Sequence, residues 1–178
     1  KNILLVLALW VVAGACEKKE IPMFTTDDAG IYFQRVTSYI YGSTTENYGD
    51  SVAYSFVSAQ ATAKSVVLSA TVRTMGKVAD YDRPFKVVVD QEGTTAIEGK
   101  HYEVNLDTVV VPAGASTAYV RVRFFRTSDM MEKTIRLALR LEENEYFKCY
   151  FPEYKNTNAY SATGALIHGD VFAFSLSE

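Results

Sequence analysis

Side chains that could carry chemistry are few and scattered along the chain. Of the two histidines, His101 stands at a turn-to-strand junction and His168 beside Gly169-Asp170, and neither has a serine and acid cluster nearby. Gly-x-Ser-x-Gly, His-Glu-x-x-His, Cys-x-x-Cys and a glycine loop shaped to cradle phosphate are all missing from the sequence. The expectation is a protein without catalysis and without a cofactor. What remains is recognition chemistry. Tyr39, Tyr41 and Tyr48 lie in Thr37-Ser38-Tyr39-Ile40-Tyr41-Gly42-Ser43-Thr44-Thr45-Glu46-Asn47-Tyr48, and a second group is Tyr146, Tyr150, Tyr154 and Tyr160. Rigid rings among Ser, Gly and Asn suit binding surfaces, with area from the rings and hydrogen bonds from the small residues. The same rings would also serve to cover the open ends of a β-structure.

A second set is cationic. Arg121 and Arg123, and further on Arg136 and Arg140, alternate with apolar residues and so face outward from two neighbouring segments. If those segments paired, the four would form a basic patch on a chain of net charge −3. Such a patch is either a solvated face interleaved with carboxylates or an interface for an acidic partner or lipid headgroups. The net charge supplies no global positive field, so nucleic acid is not an expected partner.

The elements that must position these residues read as strands. At 48% hydrophobic and 22% charged, the composition is that of a folded domain, and 178 residues fit one core. Apolar residues recur with period two in Val66 to Val72, Phe85 to Val89, Tyr119 to Phe124 and Ile135 to Leu141. Further strands are expected over Ile31 to Val36, Val52 to Val57, Tyr102 to Val111 and Ala165 to Leu176. Turn signals such as Gly93-Thr94-Thr95 and Pro112-Ala113-Gly114 separate them. About eight short strands without alternating helices predict an all-β antiparallel sandwich over 29–178.

The first residues differ. Lys1-Asn2 precedes the uninterrupted apolar run Ile3 to Val12, then Ala13-Gly14-Ala15 and Cys16. About ten apolar residues at 1.5 Å each fall short of the roughly 30 Å hydrocarbon core, which favours a cleavable signal over a permanent span. Small residues before the cysteine resemble a bacterial lipobox, with Ala13 where Leu is usual. The expectation is a signal peptide over 1–15, a lipid on Cys16 and a polar tether over 16–28. Cleavage would leave 163 residues (178 less 15) and remove Trp10, the sole tryptophan. Cys16 is then no disulfide partner for Cys149. Acids behind the cysteine, in Glu17-Lys18-Lys19-Glu20, resemble a surface-export tag interrupted by two lysines.

The segments Ala96-Ile97-Glu98-Gly99-Lys100-His101-Tyr102, Val110-Val111-Pro112-Ala113-Gly114, Val120-Arg121-Val122, and Leu137 to Leu141 with Asn144 and Phe147 resemble Calx-beta domains, which implies an immunoglobulin-like sandwich. Calcium binding is not carried over, because His101 stands where the related pattern has Asp, and a hard cation takes six to eight oxygen ligands. Asp80, Asp82, Glu98 and Asp129 would make a calcium site if their loops met. The favoured reading is a solvated loop end with Asp82 and Arg83 pairing locally, and no metal.

With the lipobox, Asp80-Tyr81-Asp82-Arg83-Pro84 and the Val-Pro-Ala-Gly turn, the whole chain is similar to a family of Bacteroidota lipoproteins of unknown function. Such lipoproteins are often encoded beside starch-utilisation-type importers. That resemblance implies an outer-membrane, surface-exposed lipoprotein serving as a non-catalytic accessory or binding subunit. Its partners would be a TonB-dependent transporter and its substrate-binding lipoprotein, in uptake of glycan or peptide. The alternatives are an independent glycan- or peptide-binding module and an adhesion or surface-structure subunit. The residues expected to bind ligand or partner are Tyr39, Tyr41, Tyr48, Arg121 and Arg123.

Overall fold

The structure is a computed structural model that describes residues 29–34, 36–39, 46–152, 154–155 and 166–178. The expected signal peptide, Cys16, the tether and Tyr41 lie outside the described residues.

Strands in chain order are β1 (Gly30–Phe33), β2 (Val36–Tyr39), β3 (Glu46–Gly49), β4 (Ser51–Ser55), β5 (Ser65–Met75), β6 (Arg83–Pro84) and β7 (Lys86–Val89). They continue with β8 (Tyr102–Glu103), β9 (Val110–Val111), β10 (Thr117–Phe125), β11 (Ile135–Glu142), β12 (Tyr154–Lys155), β13 (Leu166–Ile167) and β14 (Val171–Ser177). Eight of them make two four-stranded sheets, ordered β1-β5-β10-β8 and β4-β14-β11-β7. Pairing is antiparallel except between β14 and β4. Helical structure among the described residues is limited to two 3-10 turns, Phe56–Ser58 and Ser128–Met131. The expected all-β sandwich is the observed fold.

The sheets meet through the inward positions that the period-two pattern identifies. On β10, Ala118, Val120, Val122 and Phe124 are buried, while Tyr119, Arg121 and Arg123 face solvent. On β11, Ile135, Leu137, Leu139 and Leu141 are buried. The layers are joined by rings: Phe124 of one sheet lies 5.2 Å from Phe174 of the other, and Phe33 lies 5.7 Å from Phe172. Such centroid spacings are those of favourable aromatic pairs.

Four expected strands are cut short. The span 31–36 stops at Phe33, the end of β1, and Val36 opens β2 in a separate ribbon. The span 102–111 divides into β8 and β9 because Asn105 accepts the Asp107 N–H at 3.0 Å, an Asx turn that takes the chain out of extended geometry. The span 52–57 ends in a 3-10 turn capped by Ser55, and 165–176 is broken at 168–170 between β13 and β14.

The four-arginine patch does not form. β10 and β11 are neighbours in sequence but belong to opposite sheets, joined across the sandwich by Ser128–Met131. Arg121 and Arg123 therefore face away on one side and Arg136 and Arg140 on the other. Arg140 is also neutralised, at 2.8 Å from Asp90 and 3.4 Å from Asp170.

Candidate cleft at one end of the sandwich

Beyond the last residues of β5 and β11, two loops face each other. The first carries Lys77 to Asp82 and runs into β6; the second is the turn Glu143 to Phe147. Between them lies a cleft of about 550 Å³ lined by Lys77, Val78, Ala79, Asp80, Tyr81, Arg83, Glu145 and Tyr146. That volume is in the range of small-ligand sites.

Local sequence explains each wall. The first loop is tied to the Pro112-Ala113-Gly114 turn: Asp82 Oδ1 accepts the Ala113 N–H at 2.7 Å, and the Gly114 N–H donates to the Ala79 carbonyl at 2.8 Å. Gly114 has φ of +73°, a left-handed conformation that glycine adopts without the penalty of a Cβ. Pairing of β6 with β9 fixes the same junction, with Arg83 opposite Val111. Asp82 thus bonds to a backbone amide and forms no pair with Arg83, contrary to the sequence reading.

The second wall is organised by Asn144. Its Oδ1 accepts the N–H groups of Tyr146 and Phe147 at 3.0 and 2.9 Å, and its own N–H donates to the Phe147 carbonyl at 3.0 Å. Its Nδ2 reaches across to donate to the Pro84 carbonyl at 2.8 Å. One side chain therefore shapes the turn and fastens it beside Arg83. Glu143 supports the turn by accepting the Cys149 N–H and the Lys148 ammonium, bonds that hold its carboxyl below the usual range.

Within the cleft Tyr81 is 55% exposed, and its ring centroid lies 6.4 Å from that of Tyr146 at 56° between planes. The Glu145 carboxylate, and then burial, push the Tyr146 phenol above its ordinary value, so it remains an O–H donor at neutral pH. Arg83 is buried, its guanidinium carbon 4.7 Å over the Phe147 ring. The arrangement offers two aromatic faces among donors and acceptors of both charges.

The residues favoured by the sequence reading fall elsewhere. Tyr39 and Tyr48 belong to the ribbon of β2 and β3, where Tyr48 pairs with Thr37 and Tyr39 with Glu46 in backbone register. Arg121 and Arg123 lie on the outward face of β10 beside Tyr119, 51% exposed, and Val67, 54% exposed. Arg121 stacks 5.6 Å from the Tyr119 ring, and no carboxylate pairs with either arginine among the described residues. Tyr81 is a single aromatic between charges and carries no periodic signal. Its available cue was the company it keeps, Asp-Tyr-Asp before Arg-Pro.

The acidic group does not assemble, and no cluster of three or more His, Cys, Asp or Glu suited to a metal occurs among the described residues. Register gives the reason. Asp80 and Asp82 follow the Met75 end of β5, near the start of β10, whereas Asp129 follows Phe125 at its other end. Nine residues at about 3.4 Å each put roughly 30 Å between those ends. Asp129 instead takes the Lys100 ammonium at 2.7 Å and His101 Nε2 at 3.1 Å, while His101 Nδ1 accepts the Ile97 N–H at 2.8 Å. His101 is fully enclosed and structural.

The Lys100 bond first, with help from His101, holds the Asp129 carboxyl well below the ordinary carboxylate range. A depressed folded-state pKa contributes stability above the unfolded-state value of about 3.9, and that stability is lost as pH falls through the acid range. Replacing Asp129 with Asn should therefore lower the melting temperature at pH 7 and flatten its decline between pH 5 and 2. Parallel declines for wild type and variant would show that this pair carries none of the acid sensitivity.

Residues 27–163 match the model of a domain of unknown function, DUF4843. Among solved structures, the chain is similar to a candidate carbohydrate-binding protein from Bacteroides ovatus. Identity is 8% and the TM-score 0.48, over 84% of this chain and 37% of that one. No curated protein matches the sequence.

Proposed function

We propose, from the premise that the chain belongs to the DUF4843 family of domains of unknown function, that it is a non-catalytic binding protein whose terminal cleft takes an extracellular glycan. The observation that carries this reading is the ring pair of exposed Tyr81 and half-buried Tyr146, flanked by Lys77, Asp80, Arg83 and Glu145. Sugar rings present apolar C–H faces and a rim of hydroxyls. Two tilted phenol rings supply the apolar contact, and charged side chains make the stronger hydrogen bonds to hydroxyls. The groups best placed for catalysis support a binding role. Both His101 nitrogens are engaged, and burial, then Asp170 and Glu143, pushes the Cys149 thiol up to about 11. At neutral pH that sulfur is a thiol, a poor nucleophile.

The N-terminal sequence supports an acyl anchor on Cys16 at the outer membrane, with the sandwich displayed at the cell surface. A tether of this kind raises effective concentration without new contacts. In the same proposal a TonB-dependent transporter and its substrate-binding lipoprotein are the partners. Unpaired Arg121 and Arg123, beside Tyr119 and Val67, form the face that meets an acidic partner surface.

Affinity electrophoresis in glycan-loaded gels tests the cleft. Tyr81→Ala and Tyr146→Ala should each weaken retention at least tenfold, about 1.4 kcal/mol, while Tyr119→Ala leaves it unchanged. Retention unaffected by both cleft variants would refute the assignment. Pull-down from detergent-solubilised outer membranes should recover a transporter with wild type and lose it with Arg121→Glu/Arg123→Glu. Recovery of the lipoprotein alone would leave an independent binding module.

A further inference from the structure

Arg83 is the feature of the cleft that glycan stacking leaves unexplained. It is 4% exposed, and its charge has no counter-ion: among the described residues no carboxylate lies within ion-pair distance and no group accepts a hydrogen bond from its guanidinium. Its one side-chain contact of this kind is the Phe147 ring. Other guanidiniums are treated differently. Arg126 is bonded to Glu178, Arg140 to Asp90 and Asp170, and Arg73 donates to Gln34, while Arg121 and Arg123 stand in solvent. A buried, unpaired cation is costly, because desolvation is not offset by an opposite charge.

The guanidinium is not sealed away. Buried polar atoms without a partner among the described residues are Thr127 Oγ1, Asp129 Oδ1 and Asp170 Oδ1, and no Arg83 nitrogen is among them. Arg83 lines the cleft, so its donors open onto that space. A planar guanidinium fixed over an aromatic ring is preorganised to grip a carboxylate through two parallel hydrogen bonds.

The rim narrows the ligand further. Asp80 and Glu145 are exposed acids on the same cleft. A densely charged polyanion would meet both, whereas one carboxylate set among neutral hydroxyls reaches Arg83 and leaves the acids to accept hydrogen bonds from hydroxyls. Resting on the reading of the cleft as a glycan site, we infer that its ligand carries an isolated carboxylate, as a uronic or sialic acid residue does, and that Arg83 is the residue that recognises it.

Isothermal titration with the wild-type protein tests this with two probes, a xylo-oligosaccharide bearing one glucuronate and sialyllactose, each against its carboxyl-reduced form. At least one acid form should bind ten times or more tighter than its reduced counterpart, with little loss on raising salt, since a buried pair is weakly screened. Arg83→Gln should bring the two forms within about twofold. The comparison of acid with reduced sugar needs no variant and stands even where Arg83→Gln fails to fold. Equal binding of acid and reduced forms would overturn the inference and leave the glycan cleft standing. No binding by any of the four sugars would overturn both.

Discussion

Phe174→Ala should unfold the protein more readily than any exposed substitution, at a cost of about 3–5 kcal/mol. Phe174 is completely buried on β14 and packs 5.2 Å from Phe124 across the sandwich and 5.2 Å from Phe172 on its own strand. Truncation removes apolar area from water and also leaves a cavity that two sheets pinned by their hydrogen-bond ladders cannot close. For a domain of this size each kcal/mol lowers the melting temperature by about 2–4 °C, so the expected drop is roughly 6–20 °C. Tyr119→Ala, on the solvent face of β10, should stay within about 0.5 kcal/mol. Thermal melts of the two variants check the pair. Similar shifts for both would mean that Phe174 does not join the sheets.

The second large effect is expected at Asn144. In Asn144→Ala the Tyr146 and Phe147 amides lose their acceptor and the Pro84 carbonyl loses its donor. Those bonds are part-buried or solvent-exposed, so water offsets part of their loss and the cost is about 1 kcal/mol, which should lower the melting temperature by a few degrees. The more telling result is functional. Tyr146 would no longer be held against Tyr81, so glycan retention should fall at least as far as in Tyr146→Ala, although Asn144 does not line the cleft. Asn144→Asp keeps the acceptor for the two amides and loses the donor to Pro84, and should fall between. Full binding by a destabilised Asn144→Ala would show that the turn keeps its place without this clamp.

The sequence made the sandwich legible wherever a strand is half buried. Alternation in Val66 to Val72, Tyr119 to Phe124 and Ile135 to Leu141 identifies the inward residues directly, because one face meets core and the other water. It failed where an apolar run conceals a turn, as in 102–111, since Val104, Leu106 and Val109 look strand-like while Asn105 bends the backbone through its side chain. Sheet partnership was likewise hidden. Adjacent strands β10 and β11 lie in different layers, and nothing in their alternation says which way the chain crosses.

The cleft was legible only in fragments. Asp80-Tyr81-Asp82-Arg83-Pro84, Val111-Pro112-Ala113-Gly114, Asn144 and Phe147 are each visible in the sequence as parts of a resemblance. Their common purpose emerges from hydrogen bonds between loops some 30 and 60 residues apart. Three rings close in sequence, Tyr39, Tyr41 and Tyr48, stand out more than Tyr81 and Tyr146, which come from distant loops.

The central claim, that the cleft is the ligand site, is tested most directly by mapping amide chemical shifts during titration with the glycan that the gels identify. Perturbations should concentrate at 77–83 and 143–147 and vanish in the Tyr81→Ala/Tyr146→Ala variant. Perturbations confined to the outward face of β5 and β10, with 77–83 and 143–147 unmoved, would contradict the account.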